Sequence, residues 1–120
     1  MLFVPMSFDD PGEGHSMRLG FPSKLTDYTA TGLPLLIWGP DYCSAVRWAR
    51  QNRPVAEVVT SENSDALAQA LDRLASPGHR VMLAAKALEL GNKFFSHASA
   101  ERTFFAAVLR GCEQSAVARE

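Results

Sequence analysis

Residues 21–38 constrain the fold more than any other stretch of this chain. Pro22 has a φ angle that suits a helix start and lacks an N–H that the first turn would not use, so we predict it at the first helical position. Gly32 can adopt the left-handed conformation that closes a helix, and Pro34 prevents the helix from continuing. An apolar run of strand length follows at 35–38. This pattern predicts one short helix that leads directly into a buried strand.

The rest of the chain alternates short apolar runs with helical patterns, which is typical of an α/β domain. Residues 2–6 and 55–60 have the length and composition of strands, the second being interrupted by Glu57. Apolar residues at helical spacing predict helices between the strands and three further helices after the last one. The predicted order is β-α-β-α-β-α-α-α, which requires parallel strands joined by right-handed crossovers.

We therefore predict an α/β chain with a partial Rossmann-like three-layer fold: a short parallel sheet of about three strands, flanking helices and a helical C-terminus. The domain is expected to span residues 1–112, and residues 113–120 are expected to form a polar C-terminal tail. The first strand is predicted to have an exposed apolar edge. Such an edge favours self-association or poor solubility of the isolated chain.

Turn-forming residues fill positions 9–16 and predict a surface loop. The loop would follow the carboxyl end of the first strand, where open α/β sheets bind ligands. There His15 and Arg18 can approach a phosphate or a sugar. A solvated loop histidine is the alternative interpretation of His15.

The later part of the chain gives further local predictions. Asp41 is placed to cap a helix, and Gly91 is placed to end the helix predicted at 80–90. The last helix, predicted from about Ser99, carries large apolar residues that are expected to lie in the core or to pack against a neighbouring protein. These residues are Phe104, Phe105, Val108 and Leu109.

Charge and cysteine content exclude several classes of protein. The net charge of −1 gives no general attraction to nucleic acid or to an anionic membrane. Cys43 and Cys112 have no Cys or His at metal-ligand spacing, so no metal site is predicted and free thiols are expected. The chain shows no apolar run long enough to cross a membrane and no signal-peptide pattern at its start, and we predict a cytoplasmic protein.

The start of the helix predicted after Pro22 is a candidate anion site. The N–H groups of Ser23 and Lys24 are free of helical partners, and the Lys24 ammonium adds a positive charge, so this end can hold a diphosphate. Asp27 lies on the same face, where its carboxylate can accept hydrogen bonds from ribose hydroxyls. The alternative is a solvated pair between Lys24 and Asp27 with Ser23 as a capping residue.

The run F-P-S-K-L-T-D-Y-T-A-T-G-L-P-L-L-I resembles the signature P-S-K-x-x-E-Y-x-A-x-G-x-P of GT-B-type retaining glycosyltransferases, group 1 and family 4-like. The motif covers residues 21–37 and is similar to the C-terminal, nucleotide-sugar-binding part of these enzymes. Two positions differ. Asp27 stands where the family usually has Glu, and Leu19 stands where many relatives carry a second Glu eight residues earlier.

The resemblance implies a role for each matching residue. Ser23 and Lys24 would bind the nucleotide diphosphate, Asp27 would bind the ribose, and the loop of Gly20, Phe21 and Pro22 would face the donor sugar. It implies no catalytic residue and no metal in this chain. The nucleotide diphosphate sugar would be a donor substrate, and no cofactor is implied.

The predicted function is therefore that of a donor half-domain that does not transfer sugar alone. The resemblance implies an acceptor domain and further strands upstream, so the expected partners are a missing N-terminal domain, a separate chain or a second copy. One alternative is a non-catalytic fragment or partner subunit of a split glycosyltransferase. Another is a small Rossmann-like binding module, which the absence of a Gly-rich loop after the first strand disfavours.

Overall fold

The computed structural model describes residues 1–8 and 14–117, with side chains described for 1–8 and 17–110. In these ranges the elements are β1 (Leu2–Pro5), α1 (Gly14–Leu19), α2 (Ser23–Thr29), β2 (Leu35–Trp38), α3 (Ser44–Gln51), β3 (Ala56–Val59), α4 (Ser64–Ala75), α5 (Pro77–Leu90), a π-helical turn (Gly91–Phe95) and α6 (His97–Val117). The alternation of strands and helices confirms the predicted α/β class, including its helical C-terminus.

The strands form one parallel sheet in the order β1-β2-β3. The middle strand, β2, carries Leu35, Leu36 and Ile37, each at most 1% exposed. Consecutive buried residues are expected of a parallel strand that is covered on both faces. β1 is an edge strand, as predicted, and its Phe3 is 40% exposed.

Helices cover both faces of the sheet, so the sheet is the middle of three layers. On one face, Leu35 and Ile37 pack with residues of α2 and α3. On the other face, Leu36 packs with residues of α4. Helix α5 contributes Leu83 to the second cluster and Ala87 to the first. Burying one Leu or Ile side chain stabilises a fold by about 1.5–3 kcal/mol. The buried residues of β2 therefore stabilise the packing of helices on both faces of the sheet.

Helix α2 begins one residue later than predicted and ends at Thr29, with the right-handed Ala30 as its C-cap. Gly32 has the predicted left-handed conformation, with a φ of 69°, but it lies two residues beyond this C-cap, in the turn before β2. Pro22 is the N-cap rather than the first helical residue, since its ψ of 118° is extended and Ser23 is the first residue of the helix. The ring of proline fixes φ near −65°, which suits both positions, and ψ decides between them.

The prediction of a loop at 9–16 is wrong for residues 14–16, which belong to a helix. Helix α1 begins at Gly14 and runs to Leu19, while residues 9–13 lie outside the described part of the chain. Met17 of α1 packs against the first core cluster. This tertiary contact favours a helix where the turn-forming composition alone favours a loop.

Two predicted helix ends also differ from the structure. Cys43, not Asp41, is the N-cap of α3, and the Asp41 carboxylate instead lies 2.6 Å from the guanidinium of Arg50. Gly91 does not end the helical backbone, because its φ of −57° is right-handed and the chain continues into the π-helical turn. A Cβ atom on Gly91 would lie 2.6 Å from Thr29 Oγ1, so glycine permits close contact with α2.

Helix α6 carries a row of exposed apolar side chains. Their exposed fractions are 63% for Phe104, 55% for Phe105, 45% for Val108 and 63% for Leu109. The prediction that they lie in the core is wrong, and we call these four residues the α6 stripe. The helix runs to Val117, so the domain boundary predicted at 112 falls inside it. Among the described helices, none combines the length and hydropathy needed to cross a membrane.

Glu57, which interrupts the apolar pattern of β3, has two basic partners. Its Oε2 atom accepts hydrogen bonds from Arg73 at 2.8 and 3.0 Å, and its Oε1 atom lies 2.6 Å from His79 Nε2. Burial raises the pKa of Glu57, but the hydrogen bonds and positive charges of Arg73 and His79 outweigh this effect and hold the pKa below its usual value of 4.5. The carboxylate therefore joins β3 to α4 and α5.

We expect the Glu57 carboxylate to make the free energy of unfolding depend on pH in the acidic range. The pKa of Glu57 is depressed only in the folded state, so its contribution is complete above the usual pKa of 4.5 and is lost as the pH falls through the folded-state pKa. Urea titrations should show the free energy of unfolding declining over this interval. The free energy of unfolding of the Glu57→Gln variant should be about 1–3 kcal/mol lower than that of the wild type at pH 7, and it should decline less as the pH falls. Equal acid dependence in the two proteins would contradict the assignment, and Glu62→Gln is the surface control.

Because of the close contact at Gly91, we expect alanine substitutions at Gly91 and at Gly78 to have different effects on the free energy of unfolding. Gly91→Ala forces the new methyl group against Thr29 and should lower the free energy of unfolding by about 1–3 kcal/mol. Gly78→Ala meets no atom within 4 Å and should be neutral or stabilising by up to about 1 kcal/mol. Denaturant titration of both variants checks the contact, which is refuted if the two substitutions have the same effect.

Candidate functional site

The chain leaves all three strands at one edge of the sheet. The Met6 N–H donates to the carbonyl of Trp38 at 2.8 Å, and the Gly39 N–H donates to the carbonyl of Val59 at 3.0 Å. A Cβ atom on Gly39 would lie 2.6 Å from Met6 Cβ, so the segments that follow β1 and β2 touch. Open parallel sheets bind ligands at this carboxyl edge.

The segment before α2 is attached to the start of α3. Ser44 Oγ donates to the carbonyl of Gly20 at 2.5 Å, and the Arg47 guanidinium donates to the carbonyl of Arg18 at 2.7 Å. Helix α3 follows the carboxyl end of β2, so these bonds bring Gly20 and the start of α2 to the same edge. We call residues 18–22 the donor loop: they comprise the last two residues of α1 and Gly20, Phe21 and Pro22, for which the resemblance implies contact with the donor sugar.

The first turn of α2 leaves backbone donors available. Leu25 N–H donates to the carbonyl of Pro22 at 3.0 Å, whereas the N–H groups of Ser23 and Lys24 meet no backbone acceptor in the described part of the chain. The side chain of Ser23 does not cap the helix, because the N-cap is Pro22 and no side-chain cap bond forms. The capping role considered for Ser23 is therefore absent.

Lys24 and Asp27 lie on the outer face of α2, and both are exposed. Leu25 and Thr29 are fully buried and fix the inner face of the helix. Neither Lys24 nor Asp27 forms an ion pair with a described residue, so the solvated pair considered between them is not formed. The structure thus brings Ser23, Lys24 and Asp27 together on one exposed surface with free hydrogen-bonding groups.

The side chain of Phe21 points into an aromatic cluster. Its ring meets Trp48 edge-on at a centroid distance of 5.7 Å and lies 5.6 Å from Phe95. The cluster borders an open groove of about 420 Å³, to which Asn52 and Phe94 also contribute. Gly20 is exposed and Pro22 is half-buried, so the backbone of the donor loop remains accessible while the Phe21 ring anchors it.

Sequence reasoning did not identify the residues that hold the donor loop. Ser44 and Arg47 bind backbone carbonyls, and such bonds leave no motif in the sequence. Arg18 lies with its guanidinium carbon 5.5 Å from the centre of the Tyr42 ring, at the distance of a cation–π contact. Trp48 is a packing residue, because its ring contacts the rings of Phe21 and Phe95.

The remaining candidates for chemistry near α3 and the loop do not form a reactive centre. Cys43 is buried, and burial raises the pKa of its thiol, which the N–H groups of Ala45 and Val46 offset only in part. Among the described residues, no group of His, Cys, Asp and Glu side chains is arranged to hold a metal ion. The side chains of His15 and Cys112 lie outside the described set.

Comparison with known proteins adds no relative. No family model matches the chain, and neither a curated protein nor a solved structure does. The functional argument therefore depends on the motif at 21–37 and on the geometry of the carboxyl edge.

Proposed function

We propose that this chain is the donor nucleotide-sugar-binding half-domain of a GT-B-type retaining glycosyltransferase. The observation that carries the proposal is that Ser23, Lys24 and Asp27, which match the family motif, are exposed together at the carboxyl edge without internal partners. Polar groups held at such an edge without internal use are available to a ligand.

The proposed chemistry is the binding and stabilisation of a leaving diphosphate. Lys24 supplies an ammonium group, and the N–H groups of Ser23 and Lys24 supply directed donors, so negative charge that develops on the diphosphate during sugar transfer is stabilised. Helix α2 has only 7 residues, so these local groups matter more than its dipole. Asp27 accepts hydrogen bonds from the ribose hydroxyls. In this proposal the positive charge comes from the protein, and no metal or cofactor takes part.

We place the acceptor site on a part of the enzyme outside these 120 residues, and expect the chain alone to bind the donor without transferring sugar. The α6 stripe supports a protein partner, because four large apolar side chains on one helix are an unusual surface for contact with water alone. Phe3 on the edge strand β1 is a further exposed apolar side chain. We also propose that the protein acts in the cytoplasm.

The second candidate is a non-catalytic partner subunit of a split glycosyltransferase, and the α6 stripe favours it equally. Leu19, at the position of the second family carboxylate, is 77% exposed and cannot accept a hydrogen bond through its side chain. Donor binding with no transfer in the presence of every other subunit would favour this candidate over the first. A small Rossmann-like binding module remains the third interpretation, with the same fold and a different ligand.

Nucleotide titration tests the proposed donor site. We expect amide NMR signals of residues 20–27 to shift when UDP, GDP or dTDP is added, with one base preferred. Lys24→Ala should weaken binding of that nucleotide and of inorganic diphosphate by about 10-fold or more, because a charge-assisted contact is lost. Asp27→Asn should weaken only the ribose-containing ligand.

Matched variants on helices α4 and α5 control this experiment. Lys86→Ala on α5 and Asp72→Asn on α4 remove the same charges at exposed or half-exposed positions outside the carboxyl edge. They should leave both affinities unchanged. If Lys24→Ala and Asp27→Asn bind like the wild type, this surface is not a donor site.

The α6 stripe predicts self-association of the isolated chain. Replacing an exposed Phe with Glu places a charge in any apolar contact that the stripe makes, so Phe105→Glu should raise the monomer fraction measured by sedimentation equilibrium. Ala107→Glu adds the same charge on another side of α6 and should leave the equilibrium unchanged. A wild-type chain that stays monomeric at high concentration would show that the stripe does not bind a second copy.

A further inference from the structure

The first turns of α3, together with Tyr42 two residues before that helix, contact the donor loop at several points. The Tyr42 ring lies beside the Arg18 guanidinium, and Arg47 donates to the Arg18 carbonyl at 2.7 Å. Ser44 donates to the Gly20 carbonyl at 2.5 Å. One residue further along the loop, Phe21 packs against Trp48. Two of these contacts are hydrogen bonds to main-chain oxygens, so they fix the path of the backbone.

We propose that Ser44 and Arg47 are positioning residues of the donor site: they hold the backbone of the donor loop so that the N–H groups of Ser23 and Lys24 face a bound diphosphate. The ligand in this inference rests on the proposed function. The attachment of the loop to α3 does not, since it is visible in the hydrogen bonds themselves.

The physical argument begins with the end of α1. Arg18 is in the last turn of that helix, where carbonyl groups have no helical partner, and the charged Arg47 side chain satisfies one of them. Gly20 follows directly and is the residue with the greatest backbone freedom in the loop. Ser44 removes that freedom by binding its carbonyl oxygen.

Holding the loop in place before binding affects the affinity of the site for its ligand. A loop that is ordered before binding loses little conformational entropy when the ligand arrives, whereas a free loop loses it during binding. Ser44 and Arg47 need not touch the ligand to affect its affinity. They lie on α3, and the Ser44 hydroxyl and one nitrogen of the Arg47 guanidinium donate to the loop.

Two variants test this inference, each with a control on an exposed helix surface. Ser44→Ala and Arg47→Met remove one loop bond each; Ser64→Ala and Arg50→Met remove similar groups that do not contact the loop. The first readout is the backbone order parameter of Gly20 and Phe21 by nitrogen-15 relaxation. We expect a fall from the rigid range, about 0.85, toward 0.6 in the loop variants and no change in the controls.

The second readout is the affinity for UDP, GDP, dTDP and inorganic diphosphate, which should fall by about 5- to 20-fold in each loop variant. Ser44→Ala changes no charge, so its effect reports position alone. Ser44→Thr retains the hydroxyl and should restore both readouts. If Arg47→Lys restores affinity without restoring loop order, Arg47 acts through its charge and its positioning role is refuted.

The outcomes separate this inference from the proposed function. A wild-type chain that binds none of the four ligands contradicts the proposed function and, with it, the ligand role of the two residues; the order parameters then still decide whether α3 holds the loop. Unchanged order parameters in both loop variants overturn the inference, whatever the ligands do. The inference is also overturned if the loop becomes disordered in the variants while their affinity for the ligands is unchanged, because loop order would then have no effect on binding.

Discussion

Burial of β2 on both faces is the constraint on which the rest of the structure depends. Three consecutive residues, Leu35, Leu36 and Ile37, have almost no exposed surface, which is possible only if helices cover both sides of the sheet. The neighbours of β2 must be parallel strands, because each connection runs through at least one helix. Parallel strands end at the same edge, so covering one strand also brings the segments that follow all three strands together.

The candidate site depends on this packing more than on local preference. A helix as short as α2, with 7 residues, is not stable alone in water, so its place is decided by the burial of Leu25 and Thr29. Thr29 in turn lies against Gly91, where any larger residue would collide with it. The exposed positions of Lys24 and Asp27 are therefore set by the buried side of the same helix.

Features with a local cause could be predicted from the sequence. The bounds of β2 and the left-handed Gly32 follow from neighbouring residues alone. Features decided by distant contacts could not. The residues around Gly91 do not show whether this glycine ends a helix or permits close packing. Likewise, the residues around Asp41 do not show whether its carboxylate caps a helix or binds Arg50.

The site shows the same division between local and distant causes. The motif identified Ser23, Lys24 and Asp27 because their spacing on one helix is visible in the sequence. It did not identify Ser44 and Arg47, which lie 24 and 29 residues along the chain from Gly20 and Arg18 and bind their backbone carbonyl groups, a group that every residue possesses. Similarly, the spacing of Phe104, Phe105, Val108 and Leu109 predicts one side of a helix, but it does not say which surface that side contacts.

The two departures from the family motif bear on how a donor would be held. Asp27 is one methylene shorter than the usual Glu, and Leu19 offers no carboxylate at the other family position. The change at Asp27 falls on the part of the site assigned to the ribose, whereas Lys24 and the free N–H groups assigned to the diphosphate match the motif. If the proposal is right, affinity in this chain comes mainly from the diphosphate, and selectivity among bases and sugars depends on surfaces beyond α2. A site of that kind relies on a donor loop that is held in place before the ligand binds, which is the role that we propose for Ser44 and Arg47 of α3.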